Sequence, residues 1–251
     1  MDMSRLTERL TGNSMPPGTH VAWLARSFGR RDLAPLLHDD VAALSEILRS
    51  VVAPAGTKIL ATGDPADAAY IVESGEVELL SRHGGRRSLV SIQRAGGVFG
   101  DVPMLCALAF PFDAVARRDS RLLVVGHDEL LDILSRHPAI GLRWLSSAVK
   151  RLEHANRRLA ALASGDVAAR VTVLLADEVA GQPDHDRPIE IDLTQSEIAA
   201  LLGVGRQAVN RAIQKLADDH VVRTAYGRVL VDDPAALLDR GGRAFPVAPS
   251  C

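Results

Sequence analysis

A chain of 251 residues with 47% hydrophobic and 24% charged side chains has room for two ordinary domains, each with its own core. A formal net charge of −2 excludes a globally basic surface, so any contact with a polyanion must come from a local cluster. Two cysteines, Cys106 and Cys251, provide neither zinc nor iron–sulfur ligand spacing, and their scarcity fits a reducing compartment. The start MDMSRLTERLTGNSMPPG lacks the apolar core of a secretory signal. No later run approaches the roughly 18 apolar residues of a membrane span. These features predict a soluble, cytoplasmic protein without a membrane partner.

Residues 1–38 read as an N-terminal extension, in which Pro16, Pro17 and the basic Arg26, Arg30 and Arg31 accompany an apolar patch of Val21, Trp23, Leu24 and Phe28. A domain over 39–136 opens with DDVAALSEILRS, where Val41, Leu44, Ile47 and Leu48 share one helical face behind acidic starters. Short β-type runs then follow: YIVES, EVELLS, SLVSIQ and LLVVG, separated by Gly-rich turns at barrel or sandwich spacing. One hairpin is centred on Gly84-Gly85.

A long helix is expected over 137–164. Leu142, Leu145, Val149, Leu152, Asn156, Leu159 and Ala163 step alternately by three and four, the spacing of a coiled-coil seam. So narrow a stripe fits either a helix lying on its own β domain or a partner helix. Asn156, a single polar residue in the seam, is a device for fixing register and favours a parallel dimer. Residues 165–240 form a further domain, and 241–251 a tail. The domain opens with the helical DVAARVTVLLADEVAG, ending at Gly181; a polar loop, QPDHDRPIEID, leads on, and two β runs around Tyr226-Gly227-Arg228 close it.

Within that last domain, LTQSEIAALLGVGRQAVNRAIQKL carries the chemistry. Thr194 and Glu197 form a capping box, so a helix starts there and ends at Gly203. A second helix buries Val209, Ile213 and Leu216 and leaves Arg206, Gln207, Asn210, Arg211 and Gln214 on the opposite face. Guanidinium groups suit guanine N7 and O6, and amides pair bidentately with adenine. The β-hairpin that follows makes a winged helix–turn–helix, with Arg223, Tyr226 and Arg228 expected to touch phosphate.

The order of parts, with GDPADAAYIVESGEVEL early and the helix–turn–helix late, resembles the CRP/FNR family of bacterial transcription regulators from about Val41 to Val231. The resemblance implies an α+β chain: an N-terminal double-stranded β-helix (jelly-roll or β-roll) sensor domain, a long coiled-coil dimerisation helix with a seam of Leu145, Val149, Leu152, Asn156 and Leu159, and a C-terminal winged helix–turn–helix. It also implies a homodimer on double-stranded DNA at a pseudo-palindromic operator, with RNA polymerase as partner. The DNA-contact set is Thr194, Arg206, Gln207, Asn210, Arg211 and Arg228. Where the best-known members carry glutamate, Gln207 stands, which puts the usual half-site in question.

The sensor departs further from the family. Members that bind cyclic nucleotide carry a Gly-Glu pair for the ribose and an Arg-Ser or Arg-Thr for the phosphate. The matching stretch, FGDVPMLCALAFPFDAVA, has Gly100-Asp101 and then Phe112-Asp113. A phosphate diester needs a cation and donors, which disfavours cyclic AMP unless Arg117 and Arg118 substitute. An apolar effector, a pocket filled by Leu105, Leu108, Phe110 and Phe112, and oxidation of Cys106 (otherwise a small core residue) are the alternatives. Asn156 also falls near the helix position that contacts the purine ring in the family. No metal site is expected. A cyclic-nucleotide-type regulatory subunit of an enzyme or channel is the rival class, disfavoured by the exposed Arg/Gln/Asn face. The chain has no GxSxG, HExxH or P-loop, so no enzyme is expected.

Overall fold

The structure, a computed structural model, describes His20, Leu24 and residues 33–83, 86–180, 188–225 and 227–244. Expectations for the remainder of the N-terminal extension, the Gly84-Gly85 tip, Gly181, Tyr226 and Cys251 fall outside these residues. The chain divides into two compact units, 1–149 and 150–251.

The first unit is built on two four-stranded antiparallel sheets. One has the order β1-β8-β3-β6, with β1 Arg49–Ala53, β3 Ala68–Ser74, β6 Val98–Phe99 and β8 Ser120–Gly126. The other runs β2-β7-β4-β5, with β2 Lys58–Leu60, β4 Val77–His83, β5 Arg86–Gln93 and β7 Asp113–Ala116. Alternation along the strands explains both cores. Tyr70, Val72, Leu122 and Val124 face inward and meet Val77, Leu79, Ala114 and Ala116 of the second sheet. Their neighbours Ala69, Ile71, Leu123 and Val125 face the other way, onto helices α1 (His38–Ile47), α3 (His127–Arg136) and the start of α4 (Pro138–Ala163). The first sheet is therefore covered on both sides, which is why AAYIV and LLVV read as unbroken apolar runs. From the extension, Leu24 joins this outer core, and the His20 ring Nδ1 lies 2.6 Å from Glu73 Oε1.

In the second unit the strands β9 (Ile189–Ile191), β10 (Val222–Ala225) and β11 (Arg228–Val231) form a three-stranded sheet in the order β10-β11-β9, beside the end of α4 and four further helices. β9 lies where the sequence suggested only a polar loop; the alternation of Ile189 and Ile191 around Glu190 is its short signature. Helix α5 (Val167–Ala180) is buried along most of its length and packs against both the second helix of the helix–turn–helix and the terminal helix α8 (Pro234–Ala244). α8 continues past residue 240.

Candidate functional site

The helix–turn–helix is formed by α6 (Gln195–Leu202) and α7 (Arg206–Asp218). Glu197 N donates to Thr194 Oγ1 at 3.2 Å, and Thr194 N donates to Glu197 Oε2 at 2.7 Å, closing the capping box. Gly203 ends α6 at φ +63°, a left-handed geometry that a Cβ would strain. α7 buries Val209, Ala212, Ile213 and Leu216, which turns Arg206, Gln207, Asn210, Arg211 and Gln214 to the surface.

Those exposed side chains are not equivalent. Among the described residues no carboxylate forms an ion pair with Arg206 or Arg211, so both guanidinium groups are available to an outside anion or base edge. The wing differs from the sequence expectation. Arg228 pairs with Glu190, and its Nε lies 3.3 Å from Asp192 Oδ1; Arg223 Nε donates to Asp232 Oδ1 at 3.0 Å. The local positive charge therefore sits on α7 rather than on the wing, because β9 and its flank supply carboxylates to Arg228 and Asp232, directly after β11, supplies one to Arg223. An open groove of about 510 Å³ separates the two, with Thr194, Gln195, Arg206 and Asn210 on one wall and Thr224 and Arg228 on the other. Gln195 was not singled out from sequence; its place directly after the capping Thr194, on the first turn of α6, was the available signal. It accepts from Asn210 Nδ2 at 3.2 Å.

In the roll, the predicted effector residues do not converge. Gly100 sits at φ +86°, where a Cβ would lie 2.7 Å from Ala68 O, so the tight turn into α2 (Asp101–Leu105) requires glycine. Asp101 is buried, and Trp144 Nε1 of α4 donates to its Oδ2 at 3.3 Å, drawing the carboxylate toward the outer core to which Trp144 belongs. Asp113, which stands where the resemblance to the family places the phosphate-binding Arg-Ser or Arg-Thr, faces the other side of its sheet. Its neighbours Ala114 and Ala116 enter the interior core, and strand alternation sends the carboxylate outward. There it accepts from Thr62 N at 3.0 Å, Arg82 Nε at 2.6 Å and Lys58 Nζ at 3.4 Å. The Thr62 backbone bond first, then the two cations, hold its pKa well below the usual carboxylate range.

The interior is lined instead by an aromatic series. Tyr70 stacks on Phe99 at 5.0 Å between ring centroids, Phe99 lies 6.3 Å from Phe110, and Phe112 meets Phe110 edge-on. Burial pushes the Tyr70 phenol pKa upward, reinforced by Asp67 and Asp64. Leu105 and Leu108, expected to help fill the pocket, are 44% and 62% exposed. Cys106, expected as a small core residue unless oxidised, is exposed too. Leu105 ends α2, and Cys106 and Leu108 follow in the turn after it; residues 105–109 all lie at the surface. Arg117 Nη1 and Arg118 Nε lie 3.3 and 3.5 Å from Glu76 Oε2, which ties both arginines to that carboxylate. Asn156 is exposed on α4 in the second unit, whereas Gly100, Asp101, Phe112 and Asp113 belong to the first. Among the described residues no cluster of His, Cys, Asp or Glu is arranged to hold a metal ion, and no helix is long and apolar enough to cross a membrane.

A two-sheet roll on one unit and a helix–turn–helix with a three-stranded wing on the other define a ligand-sensor type of DNA-binding regulator. The family profile "Cyclic nucleotide-binding domain" matches residues 50–137, and "Crp-like helix-turn-helix domain" matches 167–240. The HTH-type transcriptional regulator Cmr of Mycobacterium tuberculosis is 31% identical over 95% of this chain and 96% of its own. A CRP-like cAMP-activated global transcriptional regulator of the same species is 31% identical over 80% of this chain and 91% of its own. Among solved structures, TTHA1359, a CRP/FNR-family regulator of Thermus thermophilus, superposes with TM-score 0.55 at 28% identity, covering 77% of this chain and 98% of that one. The chain belongs to the CRP/FNR family of transcription regulators. Its domains and relatives are those of regulators, not enzymes.

Proposed function

We propose that this chain acts in the cytoplasm as a homodimer that recognises a pseudo-palindromic operator through α7, contacts RNA polymerase, and has a sensor without the usual cyclic-AMP phosphate cradle. The carrying observation is the exposed trio Arg206, Gln207 and Arg211 on a helix whose opposite face is fully committed to the core. Recognition helices of this motif read base edges with residues of their N-terminal turns, where this trio stands. Thr194, Asn210 and Arg228 are the remaining expected contacts; Asn210 donates to Gln195, and Arg228 reaches a phosphate only by exchanging Glu190 and Asp192 for it.

Dimerisation is supported by the seam of α4. Leu145, Val149, Leu152 and Leu159 are each 55–63% exposed in the single chain. A row of large apolar residues at coiled-coil spacing is stabilised by burial against a second copy. Asn156 shares that exposed face, which supports its role in register. For the sensor, the turn of Asp101 toward Trp144, the outward carboxylate of Asp113 and the aromatic interior support a pocket diverged from cyclic-AMP binding. One relative is named for activation by cAMP, so atypical nucleotide binding is the alternative.

Gel-shift titration of Arg206→Ala tests the DNA reading: specific affinity falls by about 1–3 kcal/mol, the range for one bidentate base contact. Wild-type affinity in this variant would remove Arg206 from the interface.

A further inference from the structure

Three amide side chains, Gln207, Asn210 and Gln214, share the exposed face of α7, and an amide is the group that reads adenine. Bidentate pairing uses both ends of the amide: the nitrogen donates to adenine N7 while the oxygen accepts from the N6 amino group. Asn210 Nδ2 donates to Gln195 Oε1 at 3.2 Å, which orients that amide toward α6. Gln214 Nε2 donates to Asp218 Oδ1 at 3.0 Å, which orients the second along its own helix. Each keeps its second N–H and its oxygen, but the bond ties the amide to a protein partner and restricts its turning toward a base. Gln207 has no hydrogen bond among the described residues. It stands in the first turn, opposite the buried Val209, Ile213 and Leu216, and the guanidinium groups of Arg206 and Arg211 flank it.

Resting on the reading of α7 as the recognition helix, we propose that Gln207 is the adenine-reading residue of this interface, and that Asn210 and Gln214 read no base. The partner is then a half-site in which one adenine is specified by Gln207 beside guanines read by Arg206 and Arg211. In this chain Gln207 sets the part of the operator that distinguishes it from those of regulators with a carboxylate at this position.

The test is selection of duplexes from a randomised library by full-length protein, comparing wild type with Gln207→Ala, Gln207→Glu, Asn210→Ala, Gln214→Ala and Arg206→Ala. Wild type is expected to prefer adenine at one position of each half-site by roughly 5- to 150-fold, the worth of one bidentate pair. Gln207→Ala erases that preference there alone. Gln207→Glu exchanges it for cytosine, whose N4 amino group a carboxylate accepts. Asn210→Ala and Gln214→Ala keep the adenine. A motif altered by Arg206→Ala but not by Gln207→Ala overturns the proposal, as does loss of the adenine in Asn210→Ala or Gln214→Ala. A motif unchanged in both Arg206→Ala and Gln207→Ala removes the recognition-helix reading itself.

Discussion

Leu152→Asp is expected to convert the protein from dimer to monomer in sedimentation velocity at micromolar concentration. Leu152 is 60% exposed in the single chain, midway along the α4 seam. In the proposed dimer, two-fold symmetry puts two copies of the change in one interface, and burial of each leucine is worth about 1.5–3 kcal/mol. Replacement also sets two carboxylates at a desolvated seam, where an unpaired charge is strongly unfavourable. Because the side chain is exposed in the protomer, the variant keeps its fold, which circular dichroism checks. An unchanged dimer would exclude the seam as the interface.

Asp177→Ala should produce the largest loss of stability in the second unit, about 3 kcal/mol or more. The Asp177 side chain is only 2% exposed, and Arg157 Nη1 and Arg158 Nε approach it at 3.4 and 3.6 Å. Arg157 Nη2 also donates to Gly241 O at 3.5 Å, so the carboxylate and its cations join α4, α5 and α8. Removing one partner of a buried ion pair leaves the other's charge uncompensated, which typically costs about 3–5 kcal/mol. The expected fall in the melting temperature of a unit this size is roughly 12–24 °C. A second readout is His154. Burial first pushes its pKa below the ordinary 6.5, while Asp177 and Glu153 oppose that shift. Since the folded state holds this ring neutral, its contribution is lost as pH drops from 6.5 toward the lowered value. Losing Asp177 lowers the pKa further, which an NMR titration reads. A loss of stability below about 1 kcal/mol, the level of an exposed pair, would mean that Asp177 is not a buried link.

The parts legible in the sequence were those fixed by local rules. Thr194, Glu197 and Gly203 mark the helix boundaries by capping chemistry, and the periodicity of Val209, Ile213 and Leu216 separates the buried face of α7 from the exposed one. Both features hold whatever the remainder of the chain does. What escaped depended on partners distant in sequence. Asp113 cannot be assigned to a sheet face until its register with Leu80 and its bonds to Thr62, Arg82 and Lys58 are known. Asp101 gives no local sign that Trp144, on another element, draws its carboxylate away. Arg228 read as free for phosphate because Glu190 and Asp192 lay in a stretch taken for loop, while β9 places them beside it. Helix α8 was missed because Gly241 and Gly242 weaken its propensity, and packing on α5 overrides that weakness.

The most direct measurement is the affinity of the wild-type protein for its selected operator, titrated with and without saturating cyclic AMP. A regulator whose recognition helix is competent and whose roll lacks the phosphate cradle binds that operator specifically without nucleotide. Added cyclic AMP then changes the dissociation constant by less than the roughly fivefold that marks weak allosteric coupling. Specific binding that appears only once cyclic AMP is present would contradict this reading of Asp101, Phe112 and Asp113.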